Sequence, residues 1–157
     1  MTTENATISE ILETACDFEQ AAFKFYSELQ NKVSKPLRPL VEELAEEEKR
    51  HFEMFQELKN NPEIAEQIKQ RIQKPTNDHR FSDYILLPKL DDFIDDQTVM
   101  QYALGREQAA MEQYTSLAEE TPNGQIQDLF RYLANEELEH KNELEKQYYQ
   151  IVHSGGV

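Results

Sequence analysis

The 157-residue chain is long enough for one domain with a hydrophobic core and too short for two ordinary domains. It has 16 basic and 31 acidic residues, and its formal charge of −15 argues against a nucleic-acid partner or an anionic membrane surface, because both would repel it. Only four glycines and six prolines interrupt stretches rich in Ala, Leu, Glu, Gln and Lys, which favour helices over a sheet.

Signals for export and membrane insertion are missing from the chain. Residues 1–7 have neither the basic start nor the apolar segment of a secretion signal. No apolar run approaches the ~20 residues that span a bilayer. Cys16 is the single cysteine, so it forms no disulfide within the chain and no cysteine-rich metal site. We therefore expect a soluble cytoplasmic protein.

Two long helices are predicted in the first half. Thr7 and Glu10 form a capping box that opens a helix over about 8–33. Pro36 and Pro39 favour a short turn followed by the first turn of a second helix over about 37–60, which the Asn-Asn-Pro sequence at 60–62 ends.

A linker over about 61–96 follows. Within it, 62–73 favours a short helix and 75–96 an extended loop. A third helix over about 97–120 and a fourth over about 124–152 are separated by a Thr-Pro-Asn-Gly turn. The fold class is therefore all-α, a four-helix bundle of two hairpins in a single domain. The apolar residues expected to anchor the linker are Phe81, Tyr84, Ile85, Leu86 and Leu87.

The two hairpins repeat each other. EQAAFKFY at 19–26 and EQAAMEQY at 107–114 share five of eight residues, as do LAEEEKRH at 44–51 and LANEELEH at 133–140. The offsets are 88 and 89 residues. Two copies of one hairpin predict a bundle with a pseudo-two-fold axis between equivalent residues.

Each predicted helix has an apolar stripe with alternating spacings of four and three residues, which marks the face that lies in the core of a bundle. Every stripe is apolar at both ends and ionisable in the middle. The ionisable residues are Glu19, Glu48, His51, Glu107, Glu137 and His140.

Four carboxylates facing one another in a core are unfavourable because of desolvation and like-charge repulsion. Protonation relieves part of this cost, and two divalent cations balance the four charges fully while both imidazoles stay neutral. A Glu and a His three residues apart lie ~60° and ~4.5 Å apart along a helix, so they can reach one ion. Oxygen-rich ligands with one imidazole per metal suit iron or manganese better than a structural zinc.

One Glu from each of two helices and one Glu-x-x-His from each of the other two resembles the di-metal site of the ferritin-like superfamily. Over roughly 8–152 the chain is most similar to its rubrerythrin and erythrin branch. The resemblance implies two bound iron ions, with manganese or zinc as alternatives. It also implies these roles: Glu19 and Glu107 as terminal ligands, Glu48 and Glu137 as bridging ligands, and His51 and His140 as one terminal ligand on each metal.

Four further residues lie close to the predicted ligands. Family members place tyrosines near Tyr26 and Tyr114, as hydrogen-bond donors to the ligands and as radical traps; packing of a buried hydroxyl in the core is the alternative. Glu47 and Glu136 lie beside the stripes and could orient the opposing histidines through their second N–H. The alternative is that both glutamates are solvated at the surface and orient nothing.

Two features depart from full-length rubrerythrins. The paired Cys-x-x-Cys motifs of a rubredoxin domain are missing, and Ala110 stands where the family has a further glutamate. Glu112 does not replace it, because it lies ~140° round the helix from Glu107. The ligand set therefore resembles the symmetric one of bacterioferritin-like sites.

The resemblance implies an oxidoreductase that reduces hydrogen peroxide or dioxygen at a di-iron centre, as a rubrerythrin-like peroxidase or ferroxidase. Its electrons would come from an external donor such as a rubredoxin-like protein or a reductase, and we expect a homodimer. The alternatives are an iron-storage subunit and a non-catalytic bundle that binds metal.

Overall fold

The computed structural model describes residues 5–73, 81–86, 89 and 95–154. It contains four long helices, which confirms the predicted all-α bundle of two hairpins. Helix α1 packs chiefly on α2, and α3 chiefly on α4. The helices are α1 Ile8–Leu29, α2 Arg38–Lys59, α3 Asp96–Glu120 and α4 Gln125–Ser154.

Side-chain caps fix the starts of two helices. The Thr7 side chain accepts a hydrogen bond from the Glu10 amide at 3.1 Å, as the capping box predicts. The Asp95 carboxylate accepts hydrogen bonds from the amide and the hydroxyl of Thr98, both at 2.8 Å, and starts α3. Helix α1 ends at Leu29, four residues before the predicted limit, and continues in a turn in which the amides of residues 32 and 33 both donate to the Leu29 carbonyl.

The prediction of a short helix over 62–73 was wrong. This segment forms two 3₁₀ turns, Pro62–Ile64 and Gln67–Lys69, followed by strand β2 (Arg71–Gln73). Strand β2 pairs antiparallel with strand β1 (Asn5–Thr7) in front of α1. Because of this pairing, the backbone of 71–73 forms hydrogen bonds with strand β1 instead of within a helix. The side chains of Ala6 and Ile72, which lie opposite each other in the two strands, are buried.

Part of the linker packs against α1 and α3. A 3₁₀ turn, Phe81–Tyr84, buries both of its aromatic residues. Ile85 is half-buried, whereas Leu86 is 78% exposed and is not an anchor. The predicted anchor Leu87 lies outside the described residues.

The core consists of two apolar clusters, one towards each end of the bundle. Along α1, residues 8–18 contribute to one cluster and residues 22–29 to the other, and Glu19 lies between them. The ionisable residues of the other helices lie at the same height along the bundle axis. The fold therefore holds a belt of ionisable groups between the two apolar clusters. Among the described residues, no helix has the length and apolar character needed to cross a membrane.

Candidate metal centre

All four helices contribute side chains to the ionisable belt. The six predicted residues come from the middle of α1, α2, α3 and α4, where the four-and-three periodicity turns each of them inwards. Five of them are at most 1% exposed, and His140 is half-buried. The structure therefore brings all six together in the centre of the bundle.

The six residues form two overlapping groups. In each group the candidate ligand atoms lie within 4.8 Å of one another. Glu48 and Glu137 belong to both groups, as expected for two residues that bridge two metals. The first group is Glu19, Glu48, His51 and Glu137, and the second is Glu48, Glu107, Glu137 and His140. That these residues bind metal stays a prediction.

The spacing between donor atoms suits metal ions. His51 Nδ1 lies 3.1 Å from Glu137 Oε1 and 3.6 Å from Glu19 Oε2. On the other side, His140 Nδ1 lies 3.6 Å from both Glu48 Oε1 and Glu107 Oε2. A metal with bonds of about 2.0–2.2 Å holds its ligand atoms roughly 3–3.5 Å apart, so a cation between these atoms needs only small side-chain shifts.

Buried polar atoms without a hydrogen-bond partner provide an independent test of whether these residues suit a metal ion. Seven buried atoms of the six residues have no hydrogen-bond partner, although such atoms are rare in folded proteins. All seven belong to carboxylates or imidazoles, the ligand types that divalent transition metals accept. The atoms are Glu19 Oε2, Glu48 Oε1 and Oε2, His51 Nδ1, Glu107 Oε2, Glu137 Oε1 and His140 Nδ1.

Burial and mutual repulsion shift the protonation of the carboxyl groups. Burial and the neighbouring Glu48 raise the pKa of Glu19 to about 8. Burial and the neighbouring Glu107 raise the pKa of Glu137 well above its ordinary value. Burial acts in the same direction on Glu48, but the proximity of Glu19 and of both histidines outweighs it and holds the pKa of Glu48 well below the usual range.

The two histidines shift towards the protonated form. Burial lowers the pKa of each imidazole, but hydrogen bonds to carboxylates outweigh this effect. They raise the pKa of His140 to about 12 and that of His51 far above its ordinary value. The metal-free centre thus balances its carboxylates with protons, and metal ions would have to displace those protons.

Two buried tyrosines bond to ligands across the pseudo-two-fold axis. Tyr26 of α1 donates to Glu107 Oε1 of α3 at 2.9 Å, and Tyr114 of α3 donates to Glu19 Oε1 of α1 at 2.6 Å. Burial, followed by the nearby carboxylates, raises the pKa of both hydroxyls well above the ordinary value, so both remain donors. Each tyrosine therefore occupies one carboxylate oxygen and leaves the other free to face a metal.

Two partly exposed glutamates hold the outer nitrogens of the histidines. Glu136 Oε1 of α4 lies 2.7 Å from His51 Nε2 of α2, and Glu47 of α2 contacts His140 Nε2 of α4. A carboxylate on Nε2 fixes the ring and its tautomer, which leaves Nδ1 for a metal. Both glutamates occupy the orienting positions predicted from the sequence.

Sequence reasoning missed Arg106, which is 1% exposed and precedes Glu107. The available signal was the repeat, because position 106 corresponds to the buried Phe18.

Ala110, which stands where the family has a further glutamate, is fully buried. The Glu112 carboxylate accepts a hydrogen bond from Gln108 and belongs to neither group of candidate ligands.

The fold and the belt of carboxylates and histidines define a ferritin-like four-helix bundle with a candidate metal centre. Residues 10–87 and 98–154 match the family model for Rubrerythrin, and the chain belongs to the rubrerythrin family. A solved structure of a hypothetical protein from Pyrococcus furiosus has a similar fold, with a TM-score of 0.69 and 24% identity over 94% of this chain and 91% of that one. No curated protein sequence matches this chain.

Proposed function

We propose that the protein binds two iron ions and reduces hydrogen peroxide or dioxygen with electrons from an external donor. The observation that supports this most is the pair of buried ligand groups that share Glu48 and Glu137. The unpartnered carboxylate and imidazole atoms in both groups give each ion an oxygen-rich set with one nitrogen. Membership of the rubrerythrin family favours iron over manganese or zinc.

When bound, two adjacent iron ions would each supply one electron to the two-electron reduction of a peroxide bond. The residues of the chain provide geometry and a dry surrounding. Tyr26 and Tyr114 hold the terminal carboxylates in one orientation through hydrogen bonds of 2.9 and 2.6 Å. The apolar clusters on both sides of the centre restrict the entry of water.

The proposed reaction needs an electron source outside the chain. The sequence contains one cysteine, so it holds no rubredoxin-type site with four cysteine ligands. We propose a rubredoxin-like protein or a reductase as the donor. A cytoplasmic location and a homodimer belong to the same proposal.

The test begins with an anaerobic Fe²⁺ titration, in which binding should saturate near two ions per chain. Stopped-flow mixing with H₂O₂ should then show one fast oxidation of about two irons, faster than the oxidation by O₂. Further turnover should require an added reductant. Glu48→Gln should abolish the fast phase, whereas Glu46→Gln, an exposed position on the same helix, should retain it.

Other outcomes support the alternatives. Iron uptake far beyond two ions per chain by a particle of cage size would make storage the function. Two bound ions without consumption of H₂O₂ or O₂ would indicate a non-catalytic metal-binding bundle. A plateau at zero or one ion per chain would contradict the symmetric centre.

A further inference from the structure

A buried arginine breaks the symmetry of the centre. Position 106 of α3 is the repeat equivalent of position 18 of α1, and each directly precedes a terminal candidate ligand. Phe18 stands at one position and Arg106 at the other, and both are 1% exposed. Among the described residues, Arg106 is the one Lys or Arg that is fully buried. Such residues are almost never buried without compensation for their charge.

Aromatic rings hold the guanidinium in place. Its carbon lies 4.5 Å from the centroid of the Phe18 ring, 5.9 Å from that of Tyr26 and 5.8 Å from that of Tyr84. One N–H donates to the Phe18 carbonyl at 3.4 Å. Phe81 stacks on the other side of Phe18 at 4.0 Å, so the linker covers this part of the bundle. The side chain is fixed by packing and is shielded from water.

The positive charge faces the centre. Tyr26 packs against the guanidinium and also donates to Glu107, so the guanidinium lies within roughly 12 Å of that carboxylate, a range over which Coulomb interactions inside a protein remain sizeable. No carboxylate among the described residues forms an ion pair with Arg106, so the centre and the guanidinium interact over a longer distance. The guanidinium stays protonated at all relevant pH values.

The net charge of the metal-loaded centre shows what Arg106 can do, and this charge count rests on the proposed two-metal centre. Four carboxylates and two divalent cations sum to zero, and both imidazoles are neutral when they bind metal. Arg106 then adds one positive charge. We infer that Arg106 is a specificity-determining residue, which favours an anionic ligand, such as deprotonated peroxide, at the loaded centre.

The choice of ligand affected separates a role of charge from a role of packing. Removing a buried positive charge should weaken the binding of an anion and leave the binding of the cations, which replace an equal charge of protons, almost unchanged. A packing defect loosens the site and should weaken both. At a separation of roughly 10 Å and an effective dielectric constant near 20, one unit charge changes the binding constant of another on the order of tenfold.

The experiment measures two affinities without any turnover. The affinity for Co²⁺ is measured by calorimetry, and that of the Co²⁺-loaded protein for azide, a small monovalent anion, from its visible spectrum. Arg106→Gln should bind azide about tenfold more weakly. Its affinity for Co²⁺ at pH 7 should stay almost unchanged, because the two cations replace four protons and leave the net charge of the centre the same. Arg106→Lys should stay close to the wild type, and so should Arg131→Gln, which removes the same charge from an exposed position. Arg106→Met keeps the apolar packing and replaces the Gln variant if that one does not fold.

An unchanged affinity for azide in both neutral variants would overturn the inference. So would weaker binding of both ions, or a Lys variant that behaves like the Gln variant, because either result indicates a packing role. Failure of the wild type to bind Co²⁺ would overturn the two-metal centre as well. Peroxide reduction can fail while the affinity for azide still falls in Arg106→Gln, so this result and that of the proposed function remain distinguishable.

Discussion

Loading the metal-free protein with a divalent cation at pH 7 should release close to four protons per chain. Burial raises the pKa of Glu19 to about 8 and raises the pKa of Glu137 well above its ordinary value, so we expect both carboxyls to hold a proton at neutral pH. Hydrogen bonds to carboxylates raise the pKa of His51 and His140 far enough to keep both imidazoles protonated. Metal ligands must be deprotonated, so two cations with a combined charge of +4 replace four protons.

Calorimetry can count these protons. Zn²⁺ is titrated at pH 7 in several buffers that differ in ionisation enthalpy, and the slope of the observed heat against that enthalpy gives the number released. The apparent affinity should rise with pH, because protons compete with the metal. Near pH 9.5, above the pKa of about 8 for Glu19, the number should fall towards three. Release of one proton or none at pH 7 would refute the reasoning, since the carboxylates would then already be ionised without metal.

Two further results follow from the same site. Glu48→Ala or Glu137→Ala should lose both ions in the anaerobic Fe²⁺ titration, because both groups contain these residues, whereas Glu19→Ala should weaken chiefly one. Metal should also raise the unfolding midpoint, because a hundredfold excess over Kd adds about 2.7 kcal/mol to the free energy of unfolding. At one fixed metal concentration the gain should be larger at pH 8 than at pH 5, because fewer protons compete with the metal. The sign follows from the raised carboxyl pKa: the metal-free fold loses the stability of protonated Glu19 as pH rises from 4.5 to about 8. Equal midpoints with and without chelator would contradict a centre balanced by metal.

The positions of the helices and of the six candidate ligands could be predicted because long helices repeat their pattern many times. Each helix places its ionisable residues between apolar ones at helical spacing, so one face is defined by several turns at once. The internal repeat then predicts that the ionisable residues lie at equivalent positions in the two hairpins. Thr7 adds a local signal, since its side chain needs only the amide of Glu10, three residues away.

The β-ribbon could not be predicted from local pattern. Each strand has three residues, too few to show alternation, and the partner of Ala6 is Ile72, far along the chain. The burial of Arg106 is missed for a related reason. Its surroundings come from Phe18, Tyr26 and Tyr84, which lie on another helix and on the linker, so neighbours in sequence carry no information about them.

The pattern of contacts across the axis links the metal centre to the assembly of the bundle. Tyr26 and Tyr114 each bond to a candidate ligand in the opposite hairpin, and so do Glu47 and Glu136 beside the histidines. Each group of candidate ligands likewise takes three residues from one hairpin and one, Glu48 or Glu137, from the other. A single hairpin therefore has neither a complete ligand set nor the hydrogen bonds that orient it. If metal binds as proposed, only the docked hairpins would hold the ions, and the free energy of metal binding would act directly on the packing between them.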